Sequence, residues 1–97
     1  MQDYINLVKR LAKEAKAGKR PVQNGRLFIG DVYKQLLAIQ QDSIVDFSTT
    51  GALSVKKHAK KELDAAKVEV SLYYSERTWF IESKYDGYVI YNFIYKP

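Results

Sequence analysis

Ninety-seven residues, with 16 Lys plus Arg against 11 Asp plus Glu, one His, no Cys and 46% hydrophobic residues, describe one small domain spanning 1–97. That length can bury a single core but not two. The lack of cysteine excludes thiol nucleophiles, iron–sulfur clusters, cysteine-based zinc fingers and disulfides. No window reaches the roughly 18 uninterrupted apolar residues of a membrane span, and the first residues lack the apolar stretch of a secretory signal, so the expected address is cytoplasmic, with no membrane partner.

From Asp3 to Ala17, the residues Tyr4, Leu7, Val8, Leu11 and Ala15 recur at helical spacing, and Lys9, Arg10, Lys13 and Lys16 fall on the other side. This predicts an amphipathic helix over about 3–17, capped by Asp3 and ended by a left-handed Gly18. Pro21 and Asn24-Gly25 mark the loop that follows. Arg26 to Gly30 is a short apolar run that reads equally as a brief strand or as a staple before the next helix. Asp31 as N-cap, with Val32, Tyr33, Leu36, Leu37 and Ile39 on one stripe, predicts a second helix over about 31–41. Ser43 to Ser48 reads as a short strand or a buried turn.

Thr49, Thr50 and Gly51 form a polar break, after which Thr50 or Ser54 is the expected cap of a third helix over about 52–66. Val55, Ala59, Leu63 and Ala66 share its apolar sector, Lys57, Lys60, Lys61 and Asp64 project opposite, and Lys56 borders the two. After Lys67 the period becomes two. Val68, Val70, Leu72 and Tyr74 alternate with Glu69, Ser71 and Tyr73, which predicts a strand over about 68–74. Ser75-Glu76-Arg77 is a turn, strands follow at about 78–83 and 88–95, and Asp86-Gly87 is the hairpin turn between them. The expected class is α+β, with three helices packed on one face of a three-stranded antiparallel C-terminal sheet.

The net charge of +5 is not evenly spread: residues 1–20 carry +4 and residues 49–67 carry +3, whereas 21–48 and 68–97 are each at −1. Such blocks favour polyanionic partners, and they also arise for solubility alone. The start of the third helix, with Thr50 and Ser54 followed by Lys56, Lys57, Lys60 and Lys61, suits phosphate contacts, and Lys9, Arg10, Lys13 and Lys16 on the first helix would add a flanking contact. The bland alternative is a solvated charged helix face.

Catalytic chemistry has little to work with. His58 is the single imidazole, so no two-His metal site can form, and no glycine-rich phosphate loop, nucleophile elbow or metal-ligand cluster is present. The expectation is a protein that is not an enzyme, with no catalytic residues, no metal and no cofactor. Aromatic residues are the more unusual feature, because nine of the 13 fall after residue 72. Helices on one side of a sheet leave no core need for rings on the other. One face is therefore expected to present aromatics, either to unpaired bases or to a protein partner; the alternative is tyrosines packed in strands with the hydroxyl at the surface. Tyr73, Trp79, Tyr88, Tyr91 and Tyr95 are the candidate partner-binding set.

Helix, short strand, helix, basic helix and antiparallel hairpin, in that order, resemble the winged helix-turn-helix plan. The stretch Ser54-Val55-Lys56-Lys57-His58-Ala59-Lys60-Lys61-Glu62-Leu63-Asp64-Ala65-Ala66-Lys67-Val68-Glu69-Val70 looks like a recognition helix running into a wing strand. The resemblance implies a helix in the major groove with Ser54, Lys57, His58 and Lys61 outward and Arg77 approaching the DNA backbone or minor groove. Lys67 stands where such domains commonly carry a glycine, and the Gln41 to Thr50 connection is longer than a tight helix-turn-helix turn. The Tyr-rich end, with Tyr88-Val89-Ile90-Tyr91, is also similar to RelE-type ribonuclease toxins, although those start with a strand and continue past this motif.

The expected function is non-catalytic nucleic-acid binding in a regulatory or accessory role, with duplex DNA favoured over RNA. Sequence preference should be weak, because the reading helix holds no Arg, Asn or Gln for bidentate base contacts. The alternative is an interaction or inhibitor module, of the kind mobile elements and phages encode, that engages a host protein through its aromatic sheet face. A ribonuclease toxin ranks third. A homodimer closing the open sheet is compatible with each.

Overall fold

The computed structural model describes residues 1–28, 40–47 and 53–94. Helix α1 (Gln2–Lys16) buries Tyr4, Leu7, Val8, Leu11 and Ala15, the stripe that the 3.6-residue spacing predicts, and Ile5 and Ala12 beside it. Its N-cap is Met1 without a side-chain bond, and Asp3 lies inside the first turn, where its carboxylate favours the positive end of the helix dipole instead of capping it. At the other end Gly18 takes φ +75°, and the amides of Gly18 and Lys19 donate to the carbonyls of Ala15 and Glu14. This double closure uses the one residue type that reaches a left-handed φ without strain.

Strand β1 (Arg26–Phe28) resolves the ambiguous apolar run. It follows a two-residue turn at Asn24-Gly25, with φ of +54° and +74°, closed by reciprocal backbone bonds between Gln23 and Arg26. Residues 40–44 are helical (α2); the remainder of the predicted second helix lies outside the described residues. Strands β2 (Val45–Phe47) and β3 (Leu53–Val55) pair antiparallel as a separate ribbon. Helix α3 (Lys57–Ala65) comes next, followed by β4 (Glu69–Ser75), β5 (Thr78–Tyr85) and β6 (Tyr88–Phe93).

The class is α+β, but the sheet differs from the expected one. It has four strands in the order β1-β6-β5-β4 and is mixed: β4, β5 and β6 form the antiparallel meander, and β1 joins β6 in parallel with Leu27 opposite Ile90. A parallel partner far away in sequence leaves no local signal, because its register is set by the buried Leu27 and by the Val89 amide donating to the Gly25 carbonyl. The third helix is also shorter than predicted. Its expected first turn is β3, where Val55 lies opposite Val45 and the Lys56 amide donates to the Ile44 carbonyl. Two β-branched residues facing one another across a ribbon outweigh the helical spacing of that segment. The last strand ends at Phe93, short of the predicted 95.

One core joins these parts. Leu11, Ile44, Leu63, Val68, Ile81 and Ile90 are almost wholly buried, and each contributes about 1.5–3 kcal/mol by leaving water. Helix α1 packs on β5 and β6, and α3 packs on β4. Among the described residues, no helix is long and apolar enough to cross a membrane.

Candidate functional site

Alternation along the strands sorts the meander into two faces. Ile81, Ser83, Ile90 and Asn92 are buried on the core side, and Trp79, Tyr85 and Tyr88 pack against the same core. The opposite parity places Tyr73, Phe80, Tyr91 and Phe93 on the other face. There Phe80 is the hub: it stacks on Tyr73 at 5.0 Å with an interplanar angle of 10°, and it meets Phe93 at 5.0 Å and Tyr91 at 6.5 Å. Register produces the cluster, since Tyr73 is directly opposite Phe80 and Phe80 is directly opposite Phe93.

Polar groups border the rings. The Arg26 guanidinium lies 5.1 Å from the centre of the Tyr91 ring and is paired with the Glu82 carboxylate. A groove of about 600 Å³ opens between the 21–26 loop and the β4–β5 turn. Tyr73, Phe80, Tyr91 and Arg26 form one side of it, and Gln23 and Asn24 contribute amides from the loop.

The lysine positions are less uniform than a continuous cationic footprint requires. Ser54 lies exposed in β3 and does not cap α3; the N-cap is Lys56, without a side-chain cap bond, and its Nζ donates to the Asp42 carbonyl at 2.7 Å. Lys60 pairs with Asp64 at 3.5 Å. Lys57, His58 and Lys61 are exposed, and the two lysines make no ion pair among the described residues. On α1, Lys9 sits 5.5 Å from the Tyr85 ring centre, Arg10 pairs with Glu14 at 3.9 Å, Lys16 pairs with Asp86 at 3.6 Å, and Lys13 is exposed. Arg20 also bonds Glu14, and this bond is the chief cause of the lowered Glu14 carboxyl pKa. Arg77 is exposed in the β4–β5 turn, which the seven residues of β4 separate from the end of α3. Thr50 lies outside the described residues.

Of the five aromatics in the candidate partner-binding set, only Tyr73 and Tyr91 are on the open face. Trp79 and Tyr88 belong to the covered side, and Tyr95 lies outside the described residues. Phe80, Phe93 and Arg26 were missed. The two phenylalanines were accessible to sequence reasoning, because a two-residue turn at Asp86-Gly87 places Tyr85 opposite Tyr88 and therefore Phe80 opposite Phe93. Arg26 was not, since nothing local indicates that β1 joins β6.

No group of three or more His, Asp or Glu side chains that could hold a metal ion occurs among the described residues. Compared with known proteins, the chain matches no family profile, no curated protein and no solved structure.

Proposed function

We propose that this protein binds nucleic acid without catalysis, that its working surface is the open face of the sheet, and that it prefers unpaired strands to duplex. The observation that carries this reading is the ring cluster Tyr73, Phe80, Tyr91 and Phe93, spread over three adjacent strands of a sheet whose other face holds the core. Stacking on such rings is favourable for every base, and the positive charge of residues 1–20 and 49–67 attracts a polyanion at long range, although the strands that bear the rings lie in a segment at −1. The duplex alternative loses support from the shortening of α3 and from the engagement of Lys56 and Lys60 with neighbouring groups.

The test is fluorescence anisotropy with labelled single-stranded and duplex oligonucleotides between roughly 50 and 200 mM salt. Single strands should bind more tightly, affinity should fall with salt, and Phe80→Ala should weaken binding by roughly tenfold or more. Equal or tighter duplex binding, abolished by Lys57→Glu with Lys61→Glu but not by Phe80→Ala, would return the function to α3. Absence of binding at the lowest salt would overturn the nucleic-acid reading and leave a protein partner as the occupant of the aromatic face.

A further inference from the structure

Resting on that reading, we infer that the groove between the 21–26 loop and the β4–β5 turn seats one unpaired base and reads its edge through the side-chain amides of Gln23 and Asn24. The volume of about 600 Å³ lies within the range of small-ligand clefts and accommodates a single nucleotide. Its walls divide the work as a base requires. Tyr73, Phe80 and Tyr91 supply apolar ring surface, and Gln23 and Asn24 supply amide groups that both donate and accept.

Both amide residues are exposed, and their side chains make no hydrogen bond among the described residues. Their backbones, by contrast, are held. Gln23 exchanges two backbone bonds with Arg26, and the Gly25 carbonyl accepts from the Val89 amide, so the loop is tied to the sheet beside the rings. A rigid backbone presenting free amides loses little order on binding, the condition under which edge contacts discriminate between bases.

Charge in the groove is mixed: Arg26 lines it together with the Glu76 carboxylate. Arg26 lies over Tyr91 with its guanidinium paired to Glu82, so a nucleotide phosphate would have to compete with that carboxylate for it. What the groove suits is therefore the planar heterocycle itself, with donors and acceptors along its edge, the chemistry common to the bases of RNA, DNA and free nucleotides.

The experiment follows backbone amide shifts of the isotopically labelled full chain during titration with the four ribonucleoside monophosphates, their deoxy counterparts, and short single-stranded oligonucleotides of both sugars. Residues 23–26, Tyr73 and Tyr91 should shift with mononucleotides and oligonucleotides alike, with an affinity ranking among the bases; the two sugar series separate RNA from DNA as the source. Asn24→Gly retains the positive φ of +54° that this position requires while removing the amide. Combined with Gln23→Ala, it should flatten the base ranking to within roughly twofold while oligonucleotides still shift Phe80 and Phe93. Oligonucleotide shifts at Phe80 and Phe93 with residues 23–26 silent would overturn the base seat and leave the sheet-face reading standing. No shifts anywhere would overturn both.

Discussion

The hydroxyls of Tyr4 on α1 and Ser83 on β5 share a buried hydrogen bond between residues 79 apart in the chain. This bond ties the first helix to the middle of the sheet on the face that Leu7, Leu11, Ile81 and Ile90 fill as core. Trp79 and Tyr88 pack on that covered side, and Phe80 and Tyr91 lie on the opposite one.

Burial pushes the Tyr4 phenol up to about 12 from its ordinary 10.0, against the smaller opposing effect of the Ser83 bond. The raised value means that the neutral phenol is favoured in the folded state. Its stabilisation is complete below pH 10 and is lost as the pH rises from 10 toward 12, a decline of about 2–3 kcal/mol. Tyr4→Phe should cost about 1–2 kcal/mol at neutral pH by leaving Ser83 without its partner, and should remove this part of the alkaline decline. Urea midpoints of the two proteins across that pH range provide the check; parallel curves would refute the assignment.

Asn92 is 1% exposed on β6, and neither polar atom of its side chain has a hydrogen-bond partner among the described residues. An unsatisfied buried amide costs about 1–3 kcal/mol. Asn92→Leu, which keeps the same branched skeleton in apolar form, should therefore raise stability by about 1 kcal/mol in urea unfolding. A loss of stability would show that the amide has a function inside the core.

Lys67 takes φ +66° immediately after α3, with its amide donating to the Asp64 carbonyl and that of Val68 to the Leu63 carbonyl. This is the same double closure that Gly18 makes at the end of α1, here carried by a residue with a side chain. Lys67→Gly should stabilise the fold by about 1 kcal/mol, because the left-handed conformation costs a non-glycine residue roughly that much. Thermal unfolding measures it, and an unchanged or lower midpoint would contradict the strain argument.

What the sequence determined by itself was local. The 3.6-residue stripe of α1, the left-handed Gly18, the change to period two after Lys67 and the hairpin turn at Asp86-Gly87 are each set by a few neighbouring residues, and all four recur in the structure. The candidate site was only half legible for the same reason. Aromatic density after residue 72 indicated an open ring-bearing face, but dividing those rings between core and surface required the contact of α1 with β5 and β6. The pairing of β1 with β6, the conversion of 53–55 from helix to ribbon and the placing of Arg26 over Tyr91 were decided by tertiary structure alone. Each depends on partners that become neighbours only when the chain is folded, and the burial and hydrogen bonds gained there exceed the propensities of short segments taken singly.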